Sequence, residues 1–177
     1  VEYNGTSLQS ISGTNVTYNK LRINNNSGTN LITGTTVNDT MSVIVGDVNL
    51  NAQVLTISPS GYLTETNGNT VMGTSGYIMT TRSLNAPSAL NVGGLGAVLT
   101  TGVNLGSTEI RRGHAVQNGL NGSTSILRYY DITPTTNTGL NATMVYNFDE
   151  SELNGKIESA LSLFKSTNTG STWTVQG

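Results

Sequence analysis

His114 is the only histidine in this 177-residue chain and its one candidate for a general base near neutral pH. A Ser-His-Asp triad is assembled in space, so spacing along the chain does not exclude one. The chain has no cysteine, which excludes thiol nucleophiles, disulfides and thiolate metal sites. No Gly-x-Ser-x-Gly nucleophile elbow accompanies the histidine. We therefore predict no catalytic residue, and a structural His114 in a turn between strands with Arg112 close enough for a hydrogen bond.

The densest acidic cluster consists of Asp149, Glu150 and Glu152. Two carboxylates about 5–10 Å apart across a cleft can hydrolyse glycosides. Carboxylates also bind calcium, which takes about 6–8 oxygen ligands. The cluster lacks the Asp-x-Asp-x-Asp-Gly pattern of a calcium loop. We predict a solvated loop, keep these three residues as candidates for a weak cation site, and expect no cofactor.

Arg111-Arg112 together with Arg128, Tyr129 and Tyr130 are residue types suited to a small ligand-binding patch. Neighbours in a strand point to opposite faces of the sheet. Each pair is therefore predicted to divide, with one member directed inward, and a structural role is favoured over a shared binding patch.

Composition narrows the class of protein. Thr, Asn, Gly and Ser contribute 28, 22, 21 and 18 residues, and charged residues make up 10% of the chain, against about 25% in an average soluble domain. Eight Lys and Arg with a net charge of −2 form no basic stripe, so no nucleic-acid partner is expected. No apolar run approaches about 18 residues, so no membrane span is expected. Recurrent alternating runs of Val, Ile and Leu argue against disorder.

Short alternating runs fill the first half of the chain, the pattern of half-buried strands. The clearest runs are residues 21–23, 41–45, 48–50, 55–57 and 77–79. Leu21, Met41 and Tyr62 begin strands about 20 residues apart, a period typical of stacked coils. The spacing alone leaves a parallel β-helix and a hairpin meander equally open.

The runs lengthen after Asn85-Ala86-Pro87 and include residues 97–101, 108–112, 125–132 and 140–148. Asn118-Gly119 and Asn121-Gly122 are turn dipeptides. Residues 157–164 fit either a helical face or a strand, and their Ser/Thr-rich surroundings favour the strand. Strands at this spacing predict an antiparallel sandwich. We predict an all-β fold, with N-terminal parallel β-helix-like coils in residues 1–84 and an antiparallel β-sandwich in residues 85–177.

A series of short motifs resembles the coil repeats, and the sandwich module that follows them, of large secreted Bacteroidota surface proteins. These motifs are VEYNGT (1–6), YNKLRINN (18–25), LTIS (55–58), NVGGLGA (91–97), RGH (112–114), RYYDITP (128–134), ELNG (152–155), LFKS (163–166) and WT (173–174). The resemblance implies β-helix-like rungs, export by type IX secretion and display on or beyond the outer membrane. It implies no known catalysis for this module.

The sequence departs from this family at both ends. The family's sandwich usually continues with a further hairpin after the Trp-Thr strand, and its rungs usually follow more N-terminal sequence. We therefore expect either a piece of a longer protein, with an incomplete sandwich, or a subunit that a neighbouring chain completes. The candidate assembly edges are Val1, Glu2, Tyr3, Thr172, Trp173, Thr174 and Val175. Trp173 is also expected to anchor the core rather than to stack on a sugar.

Asp39-Thr40-Met41 resembles the Asp-Ser/Thr-apolar site of protein O-glycosylation in the same phylum. Thr40 is therefore the candidate glycosylated residue, placed beside a corner of a rung.

The sequence favours a non-catalytic extracellular structural or adhesive module of a secreted cell-surface or fibre-forming protein. Its expected partners are neighbouring copies or flanking domains, joined through sheet edges. The alternative is a carbohydrate-binding accessory module, or a fragment of a polysaccharide-degrading β-helix protein, with surface glycans as partners and Tyr62 or Tyr77 as exposed rings. Residues 1–83 contain only Lys20, Arg22 and Arg82 as cations, which are few for a lyase groove.

Overall fold

The computed structural model describes residues 1–119 and 122–176, and within these ranges the chain forms strands and short 3₁₀ turns but no α-helix. Strand accounts for 47% of the residues. The all-β prediction is therefore confirmed. No helix in the described ranges is long and apolar enough to cross a membrane.

Ten strands lie in the first half of the chain: β1 (Glu2–Tyr3), β2 (Gln9–Ile11), β3 (Thr17–Asn24), β4 (Thr29–Leu31), β5 (Thr35–Val45), β6 (Val48–Asn49), β7 (Val54–Ile57), β8 (Tyr62–Glu65), β9 (Val71–Met72) and β10 (Tyr77–Asn85). The second half contains β11 (Leu90–Asn91), β12 (Ala97–Thr100), β13 (Asn104–Gly113), β14 (Tyr129–Pro134), β15 (Thr143–Tyr146), β16 (Leu163–Lys165) and β17 (Thr174–Gln176). Its 3₁₀ turns within the described ranges include Val92–Gly94, Glu150–Glu152 and Glu158–Ala160.

The first ten strands form a parallel coil with three faces. The first face joins β3, β5, β7 and β10, the second joins β1, β3, β5 and β8, and the third joins β2, β4, β6 and β9. β3 and β5 each belong to two faces. Residues 35–37 of β5 pair with β7, whereas residues 40–43 pair with β8, and β3 pairs with both parts of β5. This stacking confirms the parallel β-helix and shows that a hairpin meander is wrong.

Inward-facing side chains stack in columns because parallel pairing keeps equivalent residues of successive turns in register. Leu21, Met41 and Leu63 form one column, and each is at most 1% exposed. Burial of such a side chain contributes on the order of 2 kcal/mol, and a slip of one residue would turn the whole column outward. The alternating pattern therefore fixes the register of the coil.

One corner of the coil explains part of the Asn and Gly content. Asn25 is fully buried and donates from Nδ2 to the carbonyl of Ser7 at 2.8 Å. In the next turn the amide of Gly46 donates to Oδ1 of Asn69 at 2.7 Å. Gly46 has φ +79°, and a Cβ there would overlap the carbonyl oxygen of Asn25. Glycine is required where the turns of the coil approach each other this closely.

β10 is both the last strand of the coil and the first strand of the antiparallel half. It pairs in parallel with β7 and antiparallel with β13, which pairs in turn with β14. A second antiparallel sheet has the order β11-β12-β15, and β16 and β17 form a hairpin. The predicted division after residue 84 thus falls at the end of β10. Buried residues of the second half belong to the same core as the coil, including Val92, Leu95, Leu99, Leu105 and Ile110.

Three predicted elements differ from the structure, and the first is the strand predicted at 140–148, which is only Thr143–Tyr146. The strand predicted at 125–132 begins only at Tyr129, because the amide of Leu127 donates instead to the carbonyl of Glu152 at 2.8 Å. The ambiguous stretch 157–164 contains the 3₁₀ turn Glu158–Ala160 followed by the start of β16. The turn dipeptide Asn121-Gly122 includes a residue outside the described ranges.

Trp173 does not anchor the core. Its indole is half-buried beside Gly170, in the β16–β17 segment, and it lies outside the core cluster of the described residues. The prediction of a core tryptophan is wrong because this hairpin lies at the periphery, with most of its residues exposed.

The chain itself covers the end of its coil at β8. The 3₁₀ turn Val92–Gly94 packs against β8, as stacked coils require of a terminal cap. Gly94 has φ +74°, and a Cβ there would overlap the carbonyl oxygen of Leu63 and press on the ring of Tyr62. The cap can lie this close to β8 because Gly94 has no side chain.

We expect Gly94→Ala to lower the free energy of unfolding by about 2 kcal/mol or more, because it adds left-handed strain to a backbone clash. Urea denaturation followed by circular dichroism measures the change. Gly102→Ala is the matched control, since Gly102 has open space around it. Equal stability of the two variants would contradict the close approach of the cap to β8.

Candidate functional site

Two inward columns of the coil end in charged side chains of opposite sign. Glu65 lies in register with Ile23 and Val43 of the preceding turns, and Arg112 of β13 is paired with Ile78 of β10, the last strand of the coil. Nη1 and Nη2 of Arg112 donate to the two carboxylate oxygens of Glu65 at 2.7 and 2.6 Å. The arginine side chain is 0% exposed and that of Glu65 17%. This bidentate pair joins the coil to β13.

A second ion pair lies within the antiparallel half. Nε of Arg128 is 2.8 Å from Oε2 of Glu152, and both side chains are 4% exposed. The remaining nitrogens of Arg128 donate to the carbonyl of Asn147 at 3.0 Å and to Oγ1 of Thr70 at 3.4 Å. Thr70 in turn donates to Oε1 of Glu65 at 2.8 Å. The threonine therefore connects the two ion pairs on one side.

His114 connects the pairs on the other side. Nε of Arg112 donates to Nε2 of His114 at 3.3 Å. Because a guanidinium can only donate, Nε2 is the unprotonated nitrogen and Nδ1 carries the proton of a neutral ring. Nδ1 lies 2.9 Å from Oε1 of Glu152, a close contact whose angle falls outside hydrogen-bond geometry. We call the resulting closed set the charged network: Glu65, Thr70, Arg112, His114, Arg128 and Glu152.

The electrostatics of the charged network favour two carboxylates, two guanidiniums and a neutral imidazole. Burial alone would raise the pKa of Glu65, but the charge and hydrogen bonds of Arg112 together with the charge of Arg128 hold it at about 2. Burial likewise acts against ionised Glu152, yet His114 and Arg128 keep its pKa below the usual value. Burial lowers the pKa of His114, and the charges of Arg112 and Arg128 lower it further against the opposing effect of Glu152.

This arrangement limits what His114 can do as a base. A His next to a carboxylate is two-thirds of a hydrolytic triad, and the free ring nitrogen of such a His receives the proton of a nucleophile. Here that nitrogen, Nε2, accepts a hydrogen bond from a buried guanidinium. The predicted contact between Arg112 and His114 is confirmed.

The three acidic residues considered as a cation site have separate roles. Oδ1 and Oδ2 of Asp149 accept from the amides of Ser151 and Gly68 at 2.9 and 2.7 Å. The carboxylate of Glu152 accepts from the amide of Asp149 at 2.8 Å, which completes a capping box. Glu150 is exposed. In the described part of the chain no three His or acidic side chains form a group that could hold a metal.

The solvated loop predicted for this acidic cluster is therefore wrong for Glu152. Its side chain is buried because it caps a turn and pairs with Arg128 at the same time.

The neighbouring arginines and tyrosines divide as predicted. Arg111 faces outward with its guanidinium 4.8 Å from the ring centre of Tyr77, whereas Arg112 is buried. Tyr130 packs against the core and donates to the carbonyl of Leu95 at 2.7 Å. Tyr129 lies on the other face of β14. The two pairs therefore do not form one ligand patch.

Two open clefts flank the charged network. One, of about 410 Å³, lies between β8 and the antiparallel half; we call it the Tyr62 cleft, and its lining includes Tyr62, Asn67, Asn91, Asn147 and Phe148. The other, of about 350 Å³, is lined by residues that include Asn49, Asn51, Met72, His114 and Glu152. The network separates the two clefts, since Thr70 lines both.

Thr40 lies on β5 at the first position that pairs with β8. Its hydroxyl donates to Oδ1 of Asp39 at 2.9 Å, and Asp39 also lies 3.4 Å from Nζ of Lys20. Thr40 is half-buried.

Four of the seven candidate assembly-edge residues lie on short strands, whereas Val1, Thr172 and Trp173 lie just before them. Glu2 and Tyr3 form β1, which pairs with β3. Thr174 and Val175 lie in β17, which pairs with β16, and Val175 is 57% exposed. Val1 donates from its ammonium group to the carbonyl of Lys20 at 2.8 Å.

Glu65 and Thr70 were not recognised as site residues in the sequence. The signal that could have identified Glu65 is its position in the repeat, where the two preceding turns place Ile23 and Val43. A carboxylate at an inward position predicts a buried cation nearby.

Comparisons with protein-family models, with curated proteins and with solved structures give no match to this chain. The resemblance to secreted Bacteroidota surface proteins therefore stays a prediction from the order of the motifs.

We expect Arg112→Met to lower the free energy of unfolding by about 3–5 kcal/mol, because it leaves Glu65 without its buried partner. The double variant Glu65→Leu/Arg112→Met should recover most of the loss, since it removes both charges. Arg111→Met is the matched control and should change stability by about 1 kcal/mol or less, because Arg111 is an outward-facing neighbour. Urea denaturation measures all three; equal losses from the two single changes would show that the buried pair is not special.

Acidification should destabilise the fold in two stages. The folded pKa of His114 lies below its ordinary value of 6.5, so its contribution is complete above that pH and is lost as the pH falls below it. The folded pKa of Glu65 is about 2 against an ordinary 4.5, so the carboxylate contribution is lost as the pH falls from about 4.5 towards 2. Denaturant titrations at a series of pH values measure both stages.

His114→Gln should abolish the first acid stage and leave the second. If the variant and the parent lose stability equally between about pH 6.5 and pH 5, His114 is not the group responsible.

Proposed function

We propose that this chain is a non-catalytic structural or adhesive module of a secreted cell-surface or fibre-forming protein, and that it associates through a sheet edge. The observation that carries the proposal is that one end of the coil is covered and the other has an open sheet edge. At the covered end, β8 packs against the turn Val92–Gly94 of the same chain. At the other end, β1 pairs along one side only among the described residues.

The backbone of β1 is well placed to continue the sheet. The amide of Arg22 in β3 donates to the carbonyl of Val1 at 2.9 Å. Because successive peptide groups of a strand alternate in direction, the N–H and C=O of Glu2 point away from β3. Outward-facing backbone groups at a sheet edge are a template for another strand. Its occupant is a flanking segment of the same protein or a strand from a neighbouring copy.

The absence of catalysis in this proposal is supported by how the titratable groups are used. The imidazole of His114 contacts Arg112 and Glu152, and the carboxylates of Glu65 and Glu152 pair with buried arginines. Low charge and abundant hydroxyl and amide side chains suit a neutral, hydrated module that works outside the cell. The motif resemblance supports the same location.

Carbohydrate binding is the second candidate, and one observation favours it. Tyr62 is 41% exposed at the edge of the Tyr62 cleft, whereas the ring of Tyr77 is covered by Arg111. An exposed ring beside amide side chains is suited to a sugar.

The edge proposal is tested with residues 1–177 carrying Glu2→Pro or Glu2→Ala. Proline removes the outward-pointing amide, whereas alanine removes only the carboxylate that contacts Arg22. We expect the parent and Glu2→Ala to associate with rising concentration, in sedimentation velocity and electron microscopy, and Glu2→Pro to stay monomeric. A parent chain that stays monomeric at every concentration, or a proline variant that associates equally well, would contradict association through β1.

A further inference from the structure

The walls of the Tyr62 cleft come from both halves of the molecule. Tyr62 is on β8, and Asn67 is in the loop that follows it. Opposite them, Asn91 comes from β11, and Asn147 and Phe148 follow β15. The charged network contacts both walls, because Glu65 belongs to β8 and Arg128 donates to the carbonyl of Asn147 at 3.0 Å. The volume of the cleft, about 410 Å³, is within the range of about 300–1,000 Å³ typical of small-ligand sites.

The charged groups that line the cleft already have hydrogen-bond or ion-pair partners within the protein. Both oxygens of Glu65 accept from Arg112. Arg128 pairs with Glu152, and both oxygens of Asp149 accept backbone amides. An ionic ligand would have to compete with these contacts. The cleft therefore favours a ligand without charge.

The groups that remain available are amides and aromatic rings. The side chains of Asn67 and Asn147 have no hydrogen-bond partner among the described residues, and Asn91 uses only its Oδ1, which accepts from the amide of Gly96 at 2.9 Å. Each amide offers a donor and an acceptor to hydroxyl groups. Tyr62 offers an exposed ring, and Phe148 adds a half-buried one.

We propose that the Tyr62 cleft binds a neutral sugar unit of a glycan, with Tyr62 stacked on its apolar C–H face and the amides of Asn67, Asn91 and Asn147 bonded to its hydroxyl groups. A sugar ring combines an apolar face with a rim of uncharged hydroxyls, and the cleft presents the complementary set. The site rests on the second candidate function and is independent of association through β1.

Binding is tested on a glycan array that displays neutral oligosaccharides and uronic-acid oligosaccharides, followed by calorimetry with the best soluble ligand. The monomeric Glu2→Pro chain is assayed beside the parent, so that failure of edge association and failure of sugar binding remain distinguishable. We expect a neutral oligosaccharide to bind, with an affinity that changes less than about twofold between about 0.05 and 0.5 M salt, because no ion pair is formed.

Tyr62→Ala should weaken that binding by about tenfold or more, a loss equivalent to about 1.4 kcal/mol. Tyr62→Phe should stay within about threefold, because the ring is retained. Asn67→Ala and Asn147→Ala should each weaken it severalfold. Tyr77→Ala is the matched control and should bind like the parent.

Circular dichroism establishes that each variant is folded. The proposal is overturned if no neutral glycan binds, if binding requires a uronate and falls steeply with salt, or if Tyr77→Ala and Tyr62→Ala lose binding equally.

Discussion

Glu65 places a carboxylate where the two preceding turns of the coil place Ile23 and Val43, and a charge at such a position requires a buried cation. Arg112 supplies that cation from β13, with two hydrogen bonds of matched geometry. Arg112 is itself fully buried, so its charge requires the carboxylate of Glu65 just as Glu65 requires the guanidinium. The pair therefore adds a specific polar contact to the β10–β13 ladder and the shared apolar core that join the antiparallel half to the coil.

The charged network contributes more to the register of β13 on the coil than to the free energy of unfolding. The free-energy cost of desolvating two charges offsets much of the electrostatic attraction between them. A buried ion pair therefore adds little to the free energy of unfolding. Its geometry is nevertheless demanding. A shift of β13 by one residue that places Gly113 opposite Ile78 in place of Arg112 would leave Glu65 without a cation. An apolar pair at the same positions would tolerate such a shift far better.

Local sequence patterns predicted most of the coil. Alternating runs located β3, β5, β7 and β10, and the period of about 20 residues indicated stacking. What periodicity could not decide was whether successive strands pair in parallel, because hairpins share the same alternation. The divided pairs Arg111-Arg112 and Tyr129-Tyr130 were predictable from the two faces of a strand.

The charged network was predictable only in part. The contact of Arg112 with His114 spans two residues and was visible in the sequence, whereas Glu65 lies 47 positions from Arg112. Glu152 was assigned to solvent because its neighbours are acidic, but a capping box and Arg128 bury it. The prediction of Trp173 as a core residue was wrong, because a large apolar side chain does not show whether its hairpin packs on the core.

β10 belongs to the coil and to the antiparallel half at once, since β7 lies on one side of it and β13 on the other. Neither half can detach without exposing an edge of this strand and the apolar core on which it packs. Local opening in stacked repeats normally begins at an end and spreads from turn to turn. Opening of the coil that proceeds towards β10 therefore meets the packing of both halves at that strand. We therefore expect the amide hydrogens of β10 to exchange more slowly than those of the other strands of the coil.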